Sequence, residues 1–221
     1  MKIYMAKLSE CITRIDSNHL LSKIDSWKKE RICRLRKDKD FERKLLGEML
    51  IRDILVNEYD MREEAIVFSC NSYGKPYLST ERNIHFNISN SDDYVVCAIG
   101  SEELGIDIEH IMPIDPLVAE SFFSAEEINN LKGYEGHKKL EYFYRVWTIK
   151  ESYIKALGKS IDLGLERYTV RQRGGNIRLF EGNEELNYHF ANFMPENDYV
   201  MAVCSINPVE GIMPEIWSFD R

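Results

Sequence analysis

Six residues near the middle of the chain, Leu104-Gly105-Ile106-Asp107-Ile108-Glu109, alternate apolar and acidic side chains. A strand points successive side chains to opposite faces, so Asp107 and Glu109 share one face and leave Ile106 and Ile108 for a core on the other. Two carboxylates so close repel each other unless a cation lies between them. Hard oxygen donors of this kind suit magnesium, which takes one or two carboxylates together with substrate phosphates. A strand end with two solvated acids satisfies the same spacing. A second segment, Trp147-Thr148-Ile149-Lys150-Glu151-Ser152-Tyr153-Ile154-Lys155, places Glu151 and Lys155 four apart on one helix face with Trp147. These two either form a helix-stabilising ion pair, worth a few tenths of a kcal/mol, or serve as a third metal ligand and a cation for a phosphate oxygen.

A third feature is a local surplus of positive charge. Between Lys28 and Lys44 stand nine basic residues (Lys28, Lys29, Arg31, Arg34, Arg36, Lys37, Lys39, Arg43, Lys44) and four acidic ones (Glu30, Asp38, Asp40, Glu42), a surplus of 9 − 4 = 5. The whole chain is acidic, with 29 basic against 37 acidic residues and a net charge of -8, which argues against a polyanionic partner such as nucleic acid. Any cationic site is therefore local.

The elements that must position these residues follow from periodicity. Residues 2 to 7 read as a strand, and two helical stretches follow. In the better one, from Phe41 to about Tyr59, Phe41, Leu45, Leu46, Met49, Leu50, Ile54 and Leu55 recur at helical spacing. Short β-like runs come next: Ala65 to Cys70, a turn at Asn71-Ser72-Tyr73-Gly74-Lys75-Pro76, then Ile84 to Ile88, Tyr94 to Ile99 and Leu104 to Ile108. Helices return at Pro116 to Phe123, behind Ser124, where Glu127 completes a capping box, and from about Lys138 to Leu157, ended by Gly158. From Tyr168 onward the pattern is again β-like. An internal echo links His85-Phe86 and Asp93-Tyr94-Val95-Val96-Cys97-Ala98 with His189-Phe190 and Asp198-Tyr199-Val200-Met201-Ala202-Val203-Cys204. These patterns predict an α+β protein of two similar halves, residues 1–103 and 104–221, joined without a Pro/Gly/Ser-rich linker.

The strings GIDIE and WTIKESYIKALGK, the turn YGKPYL and the segment FNISNS together resemble the surfactin-synthetase-associated class of 4'-phosphopantetheinyl transferases. The resemblance covers nearly the full chain. It implies two similar α+β subdomains related by a pseudo-twofold axis, the 4'-phosphopantetheinyl transferase fold, with coenzyme A in the cleft between them. It further implies Mg2+ held by Asp107, Glu109 and Glu151, catalysis by Glu151, Lys155 and Glu109, and Glu151 favoured as the base. Lys28, Arg31, Arg43, Lys44, Lys75, Ser89, Asn90 and Lys155 are implied around the coenzyme. The expected reaction transfers phosphopantetheine to a serine of an apo acyl or peptidyl carrier protein, as in nonribosomal peptide or polyketide biosynthesis. The sequence departs from the family at Asn90, where histidine is usual. Asparagine donates a hydrogen bond but carries no charge. Leu117, Val118, Phe122 and Phe123 are the candidate docking strip for the carrier, and the same pattern would equally serve as core.

Two other classes compete with this reading. A coenzyme- or nucleotide-binding homologue without turnover would have lost its carboxylates, and all three are present. A magnesium phosphohydrolase would bring a Walker loop or further metal ligands, and neither appears. Five cysteines without metal-type spacing, no signal pattern and no long apolar run lead to the expectation of a cytoplasmic protein away from membranes, and a length of 221 residues in two halves to that of a monomer. His85 and His110, although near these motifs, are expected to be structural or solvated.

Overall fold

The computed structural model describes residues 1–35 and 39–218. Arg36, Lys37 and Asp38 of the basic segment lie outside the described residues. A first strand, β1 (Lys2–Lys7), leads into four helices, α1 (Leu8–Cys11), α2 (Ser17–Lys23), α3 (Ser26–Arg34) and α4 (Lys39–Asn57). A small hairpin of β2 (Phe68–Cys70) and β3 (Pro76–Leu78) precedes β4 (His85–Ser91), β5 (Tyr94–Gly100) and β6 (Leu104–His110). Helices α5 (Pro116–Phe122), α6 (Ala125–Leu131) and α7 (Gly136–Leu157) follow. The chain continues through β7 (Tyr168–Arg173), β8 (Asn176–Glu181), β9 (Glu184–Glu185), β10 (His189–Phe193), β11 (Tyr199–Ser205) and β12 (Pro214–Ile216). Among the described residues no helix is long and apolar enough to cross a membrane, and the five cysteines are free.

The predicted repeat is real architecture. In the first half β5 lies between β1 and β4, antiparallel to both; in the second, β11 lies between β6 and β10 in the same manner. Even the strand exits match, since Leu8 N donates to Asp93 O and Ile111 N donates to Asp198 O, each at 2.7 Å. Tyr94 and Tyr199, equivalent in the echo, meet edge to face at 4.8 Å. Each hydroxyl reaches the loop beside the other's hairpin: Tyr94 donates to Glu196, and Tyr199 donates to Asp92 at 3.1 Å.

Each sheet has a helix on its outer face. Leu46, Leu50, Ile51 and Ile54 of α4 pack on Tyr4, Ala6, Val95 and Cys97, while α7 covers Val200, Ala202 and Cys204. The inner faces close on each other through Ile3, Met5, Val96 and Ala98 against Ile106, Ile108, Met201 and Val203. Strands β5 and β11 are thus buried on both sides, which is why they read as unbroken apolar runs. At the seam β4 faces β6: Ile106 N donates to Asn87 Oδ1 at 2.9 Å and His110 N donates to Ser91 Oγ at 3.0 Å.

The last strand crosses back. β12 runs parallel to β1, pairing Ile3 with Pro214 and Met5 with Ile216. Behind it Trp217, 3% exposed, donates its backbone N–H to Met5 O and its indole N–H to Asp53 Oδ2 at 2.7 Å.

Candidate active site

The alternation in β6 works as its sequence predicts. Leu104, Ile106 and Ile108 enter the seam core, which turns Gly105, Asp107 and Glu109 toward α7. Gly105 allows this approach, because a Cβ there would stand 1.9 Å from the Ser152 carbonyl oxygen and 2.5 Å from Ala156 N. α7 therefore lies directly against β6, with Glu151 and Lys155 facing the acidic side of the strand. From the opposite side β4 contributes its own alternating hydroxyls.

Lys155 does not form the intrahelical ion pair that its spacing from Glu151 allows. Its ammonium binds Asp107 Oδ1 at 2.5 Å and Ser89 Oγ at 3.0 Å rather than closing a pair with Glu151 along the helix. Asp107, 2% exposed, is no solvated strand end. Ser89 Oγ donates to Asp107 Oδ1 at 2.9 Å, and Ser91 Oγ donates to Glu109 Oε2 at 2.9 Å. Asp107 Oδ2 is buried and has no hydrogen-bond partner. Among the described residues no hydrogen bond ends on the Glu151 carboxylate.

The electrostatics are those of a crowded acidic site. Burial first, then the charges of Asp107 and Glu151, push the Glu109 carboxyl up to about 7. Burial and Asp107 raise Glu151 as well. Burial opposes the charge on Lys155, yet Asp107, Glu151 and Glu109 outweigh it and hold this ammonium above its ordinary value. Lys44, open to solvent on one side, is lowered by partial burial and then by the positive charges of Lys155 and Arg31, which brings the basic segment up to the carboxylates. Among the described residues no three acidic, histidine or cysteine side chains close tightly enough to cage a metal ion by themselves.

The remaining predicted residues are spread around this centre. Arg31, exposed, stands beside the turn at Gly74, where an added Cβ would meet its Nη1 at 3.6 Å. Arg43 donates to Asp92 O at 2.8 Å, just beyond Ser91, and pairs with Asp40. Lys28 is buried, bonded to Glu48 Oε2 at 2.5 Å with its ammonium 3.6 Å from the Phe68 ring centre. Lys75 donates to the backbone carbonyls of Leu104 and Ala156. Asn90, between Ser89 and Ser91, points by strand alternation to the other face of β4, with Phe86 and Ile88 and under α4. Of the proposed docking strip, Leu117 is 63% exposed, whereas Phe123 is core at 2% and Val118 and Phe122 pack partly against that core. His110 stacks on Tyr199.

Comparison with known proteins identifies the family. The family model for the 4'-phosphopantetheinyl transferase superfamily matches residues 103–204, and the model for the 4'-phosphopantetheinyl transferase N-terminal region matches residues 13–102. The 4'-phosphopantetheinyl transferase Sfp of Bacillus subtilis (strain 168) is 33% identical over 209 residues, covering 94% of this chain and 93% of its own. The chain belongs to the 4'-phosphopantetheinyl transferase superfamily. A second relative, the 4'-phosphopantetheinyl transferase gsp of Aneurinibacillus migulanus, is 37% identical over 185 residues, 84% of this chain and 77% of its own. Among solved structures, a holo-(acyl-carrier-protein) synthase from Bacillus anthracis in complex with CoA (3',5'-ADP) shares 23% identity, with a TM-score of 0.40 over 46% of this chain and 92% of that one.

Within this phosphopantetheinyl transferase, Ser91 was overlooked by sequence reasoning, although the alternation that marks Ser89 marks it equally. Asn87, which holds the β6 backbone, continues the same series two residues earlier. The bonds of Asn71 to Gly158 and of Glu48 to Lys28 carried no local signal, since they join residues distant in the chain.

Proposed function

We propose that this transferase uses Mg2+ to move the 4'-phosphopantetheine arm of coenzyme A onto a serine hydroxyl of an apo acyl or peptidyl carrier protein. One observation carries the reading: Lys155 and Glu151 of α7 meet the buried Asp107 and the half-buried Glu109 of β6 at the seam, with Lys44 near enough for its charge and that of Lys155 to repel. Asp107, Glu109 and Glu151 would hold magnesium, which when bound neutralises pyrophosphate charge. The donor set fits, because hard carboxylate oxygens are present, one of them buried and unpartnered. Magnesium also keeps waters and substrate phosphates in its shell and needs no closed protein cage.

The carrier serine oxygen attacks the β-phosphorus of coenzyme A, the bond to the bridging oxygen breaks, and adenosine 3',5'-bisphosphate leaves. Glu151 takes the serine proton, and its oxygens are not engaged by hydrogen bonds among the described residues. Lys155 stabilises charge on the departing phosphate. Such transfers rest on positioning and electrostatics, which one lysine, a carboxylate cluster and a basic rim supply. Every residue named belongs to one chain, so a monomer suffices, and cytoplasmic carriers are its expected partners.

Mass measurement of an apo carrier incubated with the protein, coenzyme A and Mg2+ tests this. The carrier gains one phosphopantetheine with the wild type and at most about 1% as fast with Glu151→Gln. Binding of coenzyme A without any mass gain would leave a non-catalytic homologue as the correct reading.

A further inference from the structure

The turn between β2 and β3 does something other than hold coenzyme. Asn71 folds it: Asn71 Oδ1 accepts from Tyr73 N at 3.0 Å and Lys75 N at 2.9 Å, and Asn71 N donates to Lys75 O at 3.0 Å. So braced, the turn aims two side-chain donors away from itself and into the other half. Asn71 Nδ2 donates to Gly158 O at 2.7 Å, and Lys75 Nζ donates to Ala156 O at 3.2 Å and to Leu104 O at 3.1 Å. All three acceptors frame the site. Ala156 and Gly158 end α7 directly after Lys155, and Leu104 opens the strand that carries Asp107 and Glu109.

The contact is built closely. Gly158 adopts a left-handed φ of +63° to terminate α7, and a Cβ there would stand 2.7 Å from Asn71 Nδ2, so only glycine admits the clasp. Carbonyls at a helix C-terminus lack partners within the helix and carry partial negative charge, which an ammonium and an amide N–H satisfy. We propose that Asn71 and Lys75 are positioning residues, a clasp from the N-terminal half that fixes the last turn of α7 against β6 and thereby sets Lys155 and Glu151 relative to Asp107. The inference rests on the proposed function for the meaning of that register. It also gives Lys75 a different part from the phosphate contact implied by family resemblance, because two of its three N–H groups are directed at backbone carbonyls.

Kinetics with coenzyme A and with dephospho-coenzyme A, on Asn71→Asp, Lys75→Met and Lys75→Arg, separate the possibilities, together with hydrogen exchange of the amides at 155–159. Asn71→Asp keeps the oxygen that braces the turn and turns an acceptor toward Gly158 O. Expected are a kcat lower on the order of 10- to 100-fold for Asn71→Asp and Lys75→Met, a KM for coenzyme A within about threefold of wild type, and partial recovery in Lys75→Arg. Both damaged variants should show faster exchange at 155–159 in the otherwise protected fold, a readout that needs no turnover. A raised KM with unchanged kcat, or a loss confined to coenzyme A relative to its dephospho form, would make Lys75 a ligand contact and overturn the clasp. Unchanged exchange in Asn71→Asp overturns it as well. Wild-type protein that transfers nothing while the exchange effect persists would instead defeat the proposed function alone.

Discussion

Lys28 and Arg31 stand one helical turn apart on α3, carry the same charge, and have different circumstances. Lys28 is enclosed with Glu48, whose other oxygen accepts from Arg52 Nε at 2.8 Å. Removing Lys28 takes one of two charge-assisted bonds from buried Glu48, which keeps Arg52, at a cost of about 2 kcal/mol. Lys28→Met should therefore lower stability by about that amount in denaturant unfolding, while the preference for coenzyme A over dephospho-coenzyme A stays unchanged. Arg31 is exposed beside the Gly74 turn and acts on Lys44 through space. Arg31→Glu should leave the unfolding midpoint in place and weaken coenzyme A by about tenfold more than its dephospho form, as loss of one charge-assisted contact does. Equal losses with both ligands would show that Arg31 does not meet the 3'-phosphate.

At the scale of elements, the site exists because α7 lies on β6 without a side chain between them at Gly105. Gly105→Ala places a methyl into the backbone of α7, so the helix must lift or the strand must shift. A destabilisation of about 2 kcal/mol and a loss of transfer exceeding what that destabilisation explains are expected; normal turnover in a folded Gly105→Ala protein would show that the close approach is dispensable. This packing also marks how far sequence carries. The acidic face of β6, the capping box at Ser124 and Glu127, and the end of α7 at Gly158 all follow from local periodicity and turn chemistry, and all are present. Both ends of α4, the end of α5 and the start of α7 differ from expectation by a residue or two, and Ala65 closes a 3-10 turn ahead of β2, which begins only at Phe68. Partner choice was not legible. Nothing near Lys155 says that it prefers Asp107 to Glu151, nor does anything near Lys75 point to carbonyls 29 and 81 residues away. Those facts arise from how strands and helices are brought together, and spacing within one element does not encode them.

For the whole molecule, the two halves exchange parts as well as contacts. Tyr94 and Tyr199 reach across the axis, Asn71 and Lys75 reach to α7, and β12 with Trp217 returns to the first sheet. Trp217→Ala should therefore destabilise the N-terminal half, by about 3 to 5 kcal/mol, even though this residue follows the second half in sequence. Hydrogen exchange should locate the loss in β1 and α4, and faster exchange confined to β10 and β11 would contradict it. The pairing of Ile3 with Pro214 spans 214 − 3 = 211 residues. On a ribosome that adds roughly 5 to 20 residues per second, β1 thus waits on the order of ten seconds or more with one edge unpaired. An unpaired strand edge is a template for other chains. The nascent protein is accordingly most open to misassociation before residue 214 has emerged, and a chaperone that covers β1 during that interval should raise the yield of folded transferase more than one supplied after release.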